Sequence, residues 1–277
     1  MRERLQGSVE AGLGTPLDYH KASVNAASLR WVPPHTLWGV NRLDLAVKVL
    51  YARDHLQTAL DLPLSVDAQA LYRRHIELRT GGREPGNPLK QTVDAYERDF
   101  RALIDSLASD GYQARGAIPL SEPGLILNGA HRLASSLALG LAEVPCFTVP
   151  DAPSYDWDMG WFLWHRFTAQ EIAVLLHVWA LYNPPKARLL VIESVDDTAC
   201  ALVTRALYAT QRVLAWRTLS GASVWGARRT GRVLYLEASD ALPASLGQLQ
   251  AQHPGMSCWY LDGDQAARLS LELLPIS

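Results

Sequence analysis

Three groups of residues in this chain have the types and spacing to do chemistry. The first is the run Asn128-Gly129-Ala130-His131-Arg132. It follows the apolar stretch 125–127 and opens a helical pattern in which Leu133, Leu137 and Leu141 share a face. Asn-Gly is a tight-turn pair because both residues tolerate positive φ, and Gly140 suits a helix stop. The pattern predicts strand, glycine turn, helix. His131 and Arg132 then fall in the first helical turn, beside backbone N–H groups with no partner inside the helix. Cationic side chains there oppose the helix dipole, and an anion such as a phosphate would resolve the conflict. The same spacing also fits an ordinary turn whose His and Arg point into water.

The second group is Asp44, Lys48 and Tyr51, spaced i, i+4, i+7 on a helix predicted over 42–53 with Asn41 as its cap. Leu43, Val47 and Leu50 form an apolar stripe at the same spacing. Asp44 and Lys48 read either as an exposed ion pair worth a few tenths of a kcal/mol, or as an acid and an ammonium aimed into a cleft. The third candidate is His75, on a helix predicted over 68–79 behind an Asp67 cap, with Leu71 and Leu78 on the same side. An imidazole titrates near neutrality and suits a general base; beside leucines it also suits a half-buried core position.

These groups sit in a chain of 277 residues, enough for one large or two modest domains. The formal charge of −2 disfavours a protein that depends on nucleic-acid backbone contacts. Cys146, Cys200 and Cys258 are widely spaced, suggest neither disulfides nor zinc, and fit a cytoplasmic protein. No run approaches the roughly 18 apolar residues of a membrane span, and the N-terminus has no apolar signal core.

The positioning elements follow in order. Residues 1–28 read as a loose lead-in, and 29–32 as a strand before Pro33-Pro34. Residues 80–91 carry three Gly and two Pro, a loop long enough to close over a ligand, with Arg83 and Lys90 able to reach an anion. Asp94 and Glu97 suggest a capping box on a helix over 95–109, buried through Tyr96, Phe100, Leu103, Ile104 and Leu107 and stopped at Asp110-Gly111. Strands at 117–120 and 144–149 flank the motif, so 29–152 reads as a mixed α/β domain. The region 153–277 reads as an aromatic-rich helical segment over 155–182, then a smaller α/β unit with strands at 188–193, 213–216, 233–237, 258–261 and 270–274. Helices are expected there over 197–208 and 244–252. The aromatic segment suits core packing, with a stacking platform for a ring-shaped ligand as the alternative. Asp196-Asp197 reads as a helix start before it reads as a metal site.

Asp110-Gly111, Ile118-Pro119-Leu120, Asn128-Gly129-Ala130-His131-Arg132, Leu139-Gly140 and Val144-Pro145 stand in the order of a family pattern. This segment of about 50 residues resembles the ParB/sulfiredoxin-like superfamily, and the likeness extends loosely over 30–150. The resemblance implies a mixed-sheet nucleotide-binding domain, closer to the free-serine-kinase type than to the DNA-partitioning members. It assigns His131 and Arg132 to nucleotide phosphates, with Gly129 giving close backbone approach and Asn128 and Ala130 counted in the same binding stretch. Ala130 replaces the cysteine of sulfiredoxins, which removes sulfinic-acid repair. Asn128 replaces the usual Asp, which removes a carboxylate from the motif. The basic helix-turn-helix of the partitioning members has no counterpart in the aromatic C-terminal half. The segment starting at Arg42, through Asp44 and Lys48, with Tyr72-Arg-Arg-His-Ile downstream, resembles a ParB-like branch associated with bacterial glycan and metabolite gene clusters, a likeness that assigns no substrate. Arg42 is counted among the expected nucleotide contacts.

The expectation is a nucleotide-dependent phosphotransferase acting on a hydroxyl of a small molecule or glycan, using ATP (or ADP or CTP) with Mg²⁺. Lys48 would neutralise developing charge, Asp44 would be base or metal contact, and His75 a second candidate base. The alternative is a non-catalytic nucleotide-binding regulator or scaffold, with DNA binding behind it.

Overall fold

The computed structural model describes residues 29–261, apart from 40, 59, 61–65, 85–86, 114–115, 123, 151–155, 184–186, 195–196, 211–212, 220–229, 238–241 and 254–255. The expected lead-in over 1–28 and the strand over 270–274 lie outside the described residues, as do the expected breaks at 151–155 and 184–185 and Asp196. The chain is a mixed α/β protein that divides into two units, Met1–Trp157 and Asp158–Ser277. Among the described residues no helix is long and apolar enough to cross a membrane.

In the first unit β1 (Arg30–Val32) is followed by a 3-10 turn over Pro34–Leu37 and then by α1 (Asp44–His55). The expected Asn41 cap does not form. The Asn41 amide donates instead to Asp156 Oδ1 at 3.0 Å, and Leu43 stands at the N-cap without a side-chain bond. Every residue of α1 from Asp44 to Ala52 is buried, so the two stripes expected on it are two parts of one enclosed cylinder. The helices α2 (Ala68–Thr80), α3 (Val93–Asp110) and α4 (Ala130–Ala138) all contact it. A helix buried on all sides has no amphipathic signature by which sequence could announce the fact.

α2 starts where expected, with the Asp67 carboxylate accepting from Ala70 N at 2.8 Å, and ends at Gly81 with φ +62°. Its buried face is Leu71, Tyr72, His75 and Ile76, whereas Leu78 is 41% exposed. α3 is capped by Thr92, whose Oγ1 accepts from Ala95 N at 3.1 Å, and not by Asp94. Glu97 is therefore free of capping work. It lies buried, taking hydrogen bonds from Gln69 (3.1 Å) and Arg73.

β2 (Ile118–Leu120) and β1 flank β3 (Val144–Thr148), in the order β1-β3-β2, with β1 antiparallel and β2 parallel to β3. The apolar stretch 125–127 returns to β2 through one bridge, Leu120 to Ile126, and through Leu127 N donating to Pro119 O at 3.0 Å. Asn128-Gly129 makes the turn, with Gly129 at φ +87° as the N-cap of α4. Gly129→Ala forces a side chain into that conformation and against Arg132, whose Nη2 lies 3.3 Å from where the Cβ would sit. Expected is a loss of about 1–3 kcal/mol in urea denaturation; an unchanged midpoint contradicts this reading of the turn.

The second unit carries α5 (Met159–Trp164), α6 (Ala169–Tyr182) and a four-stranded antiparallel sheet in the order β5-β6-β4-β7. Its strands are β4 (Ala187–Ser194), β5 (Val213–Leu219), β6 (Thr230–Glu237) and β7 (Ser257–Leu261). Alternate residues Leu190 and Ile192 of β4 and Leu234 and Leu236 of β6 build one face. Cys200, Val203 and Leu207 from α7 (Asp197–Thr210) and Leu246 from α8 (Leu242–Gln252) close over that face. α6 begins in a reciprocal capping box: Thr168 Oγ1 accepts from Glu171 N at 3.1 Å, and Glu171 Oε2 from Thr168 N at 2.6 Å. Thr168→Ala breaks one half of it, for an expected loss of about 1 kcal/mol, read as faster amide exchange in the first turn of α6.

Candidate functional site

The site grows from a short stretch of sequence. Trp38 anchors the approach to α1 by donating from Nε1 to the Arg42 carbonyl at 3.0 Å. Arg42, two residues before the helix, then folds back over Asp44. Its Nε donates to Asp44 Oδ1 at 2.8 Å and its Nη2 to Oδ2 at 3.0 Å, a fork on both carboxylate oxygens. Its third nitrogen, Nη1, donates to Ile126 O at 3.0 Å and so ties the start of α1 to the segment leading into α4. One helical turn on, Lys48 Nζ donates to Asp44 Oδ2 at 2.6 Å. Arg42, Asp44 and Lys48 are all buried. The exposed ion pair is thereby excluded: this is an ion triad removed from water.

α2 supplies the next layer through Tyr72, His75 and Arg79, on one face at i, i+3, i+7 spacing. His75 is completely buried. The Nε of Arg79 is buried with no hydrogen-bond acceptor, and among the described residues no carboxylate pairs with its guanidinium. Arg42 and Arg79 both stack on Trp157, with guanidinium carbons 4.8 and 5.3 Å from the ring centroid. Trp157 is held there by its backbone N–H, which donates to Asn41 O at 2.9 Å.

α4 contributes His131. Its ring lies edge-on to Phe100, at a centroid separation of 4.5 Å, and its Nε2 is 2.9 Å from the Tyr72 hydroxyl. Lys90 enters from the 80–91 loop, over the Tyr96 ring at 4.4 Å and 3.4 Å from Glu84.

The electrostatics express the crowding of cations. Burial pushes the Asp44 carboxyl upward, but Arg42 and Lys48 outweigh it and hold it well below the usual carboxylate range. Burial first, then the nearby Arg79 and Arg42, push Lys48 down to about 7 against the pull of Asp44. His75 is lowered well below its usual value by burial and then by Lys48. His131 is lowered by burial and then by Lys48, Lys90, Arg79 and His75. Burial raises the Tyr72 phenol, which stays protonated and can donate to or accept from His131.

The structure thus brings Arg42, Asp44, Lys48, His75 and His131 into one neighbourhood and adds Arg79 and Lys90. Arg132 goes elsewhere: its Nη1 donates to the main-chain oxygens of Gly116 and, at 3.3 Å, Ala117. Asn128 turns inward on its own loop, its Oδ1 accepting from Gly129 N at 2.6 Å. Gly129 and Ala130 form the start of α4, which has no side-chain cap. Arg79 is the residue that sequence reasoning missed. Its signal was the Tyr72-His75-Arg79 stripe, hidden because an arginine late in a helix reads as a solvated face.

A divalent cation does not fit at Asp44. Both carboxylate oxygens already receive hydrogen bonds from cations at 2.6–3.0 Å, so a metal there would face two positive groups. Among the described residues no three His, Cys, Asp or Glu side chains gather in a metal-binding group. What the arrangement can do is receive an anion, since Arg42 and Lys48 share the one carboxylate of Asp44 and Arg79 beside them pairs with no carboxylate among the described residues. No protein-family model and no curated protein matches this chain.

Proposed function

We propose that the first unit is a ParB/sulfiredoxin-like nucleotide-binding domain and that the protein is a nucleotide-dependent phosphotransferase acting on a hydroxyl of a small molecule or glycan. The observation that carries this reading is the charge imbalance of the site: Arg42 and Lys48 share one carboxylate, Asp44, and Arg79 adds a third cation that acts on Lys48, with His75 and His131 held neutral beside them. Two buried cations on one buried carboxylate leave a positive surplus that is costly out of water, and a phosphate group entering beside them offsets it. Phosphoryl transfer asks for this kind of surround, because its catalysis is positioning and neutralisation of charge on the transferred group.

In this reading the phosphates lie against Lys48, Arg79 and His131, with Lys90 at the rim. Lys48 gains its full charge when the anion arrives, since an opposite charge raises an amine's pKa. His75, neutral at pH 7, is the base available to an acceptor hydroxyl. Asp44 neither takes the proton nor holds a metal; it fixes Arg42 and Lys48. Protein cations therefore meet the phosphate charge, and Mg²⁺ has no place among these side chains except as a companion of the nucleotide.

One observation favours the second reading, a nucleotide-binding regulator without turnover. The carboxylate at the centre of the cluster, Asp44, is neutralised twice over and is not poised to accept a proton. Thermal-shift titration with ATP, ADP and CTP, each with and without Mg²⁺, tests both. A stabilisation that is lost in His131→Ala and in Arg79→Gln supports the site, because a ligand that binds the folded state must stabilise it. Release of diphosphate nucleotide on adding hydroxyl acceptors separates enzyme from binder. No stabilisation by any nucleotide overturns both.

A further inference from the structure

Arg132 is the half of the Asn-Gly-Ala-His-Arg motif that the cation cluster does not use. One residue on from His131, it projects about 100° further round α4. Its Nη1 is engaged by the Gly116 and Ala117 carbonyls, and among the described residues its Nε and Nη2 donate to no acceptor. No carboxylate of the described residues pairs with it either. Gly129 makes the room for this guanidinium, since a Cβ there would stand 3.3–3.4 Å from Nη2 and Nε.

Arg132 lines a cavity of about 120 Å³ together with Leu103, Ser106, Leu107, Tyr112 and Gln113. Most of its wall is hydrocarbon. The Tyr112 hydroxyl is satisfied by donating to Gly116 O at 2.8 Å, and burial pushes that phenol up to about 12, so it brings no negative charge. An apolar pocket with one unneutralised guanidinium in its wall has an amphiphilic complement. Guanidinium recognises carboxylate through paired N–H donors, and the leucines recognise a compact carbon body. A cavity of about 150 Å³ lined by apolar groups takes up benzene, so this one suits a body of about six carbons. A phosphate would set charged oxygens against Leu103 and Leu107.

We infer that this cavity is a second ligand site, independent of the phosphate-binding reading, for a small carboxylate with a compact apolar body. The carboxylate lies on the Arg132 guanidinium and the carbon body between Leu103, Leu107 and the Tyr112 ring. The two neighbouring motif residues then serve two ligands: His131 the phosphate site, Arg132 the acid.

Benzoate, benzyl alcohol and inorganic phosphate, titrated into the full chain and followed by saturation-transfer NMR and calorimetry, test this. Benzoate is expected to bind saturably, with benzyl alcohol and phosphate each about tenfold weaker or worse. Ser106→Phe places a ring at the mouth from an exposed position and is expected to abolish benzoate binding at an unchanged thermal midpoint. Arg132→Lys keeps the charge, loses the fork, and is expected to weaken benzoate about tenfold; if it fails to fold, Ser106→Phe decides. His131→Ala, which removes nucleotide stabilisation, leaves benzoate binding intact, so either site can fail without the other. Equal binding of benzoate by the wild type and Ser106→Phe, equal binding of benzyl alcohol, or phosphate displacing benzoate overturns the inference.

Discussion

Asp44→Ala is expected to lower the stability of the first unit by about 3–5 kcal/mol, the cost of leaving buried charges uncompensated. The carboxylate is the common acceptor for Arg42 at 2.8 and 3.0 Å and Lys48 at 2.6 Å, and all three side chains are buried. Removing it leaves two cations facing each other inside the protein. Lys48 can shed its proton, since burial and its cationic neighbours already bring it to about 7. The Arg42 guanidinium cannot. Asp44→Asn restores the shape and little of the stability, because an amide offers Arg42 one oxygen and no charge. Lys48→Met is the informative contrast: Asp44 keeps its bidentate Arg42, so the fold loses far less while the phosphate site loses a cation. Urea denaturation and amide exchange along Asp44–Ala52 measure these effects. A loss below about 1 kcal/mol in Asp44→Ala would mean that water reaches the triad and that the charge imbalance is no argument for a ligand.

Acidification should destabilise the ligand-free protein. His75 and His131 have folded-state pKa values below 6.5, so below that pH the unfolded chain binds more protons than the native one and stability falls. With both groups titrating, the slope approaches two protons, or about 2.7 kcal/mol per pH unit. Asp44 works in the same direction at lower pH: its stabilisation is complete above the ordinary carboxylate pKa and is lost as pH falls through the folded value. On the alkaline side Lys48, at about 7 in the folded chain, adds stability as pH rises from there toward the ordinary lysine value of 10.5. Urea denaturation at pH 7.5, 6.5 and 5.5 should show the decline, and His131→Gln should remove about half of it. A bound nucleotide should flatten it, because phosphate charge favours the protonated forms. A decline unaffected by either imidazole would place both histidines in contact with bulk water and remove their electrostatic case for an anion.

Local chemistry was legible wherever a few neighbouring residues decide the outcome. The Asp67 cap, the Asn128-Gly129 turn and the glycine stops at Gly111 and Gly140 need only their own backbone conformations and bonds. The Asp44–Lys48 contact is a property of helical spacing and forms at the expected i, i+4 distance. Thr92 displaced Asp94 as the α3 cap because either residue can accept from a first-turn N–H, and Glu97 was drawn away by Gln69 and Arg73.

The sequence by itself therefore determined most of the described elements, the turn that opens α4 and the composition of its first residues, although the helical segment expected over 155–182 is two helices. The tertiary structure decided what those residues face. Burial of α1 on every side turns an ordinary ion pair into a triad without water, and helical periodicity cannot report this because it compares faces of one helix. Arg42 meets Trp157, 115 residues away, and Arg79 joins it, so the charge surplus exists only after folding. His131 and Arg132 are adjacent in the chain, yet one turns to Tyr72 and the other to Gly116, since neighbours on a helix point about 100° apart. Spacing placed the charges; packing decided which of them kept company with water.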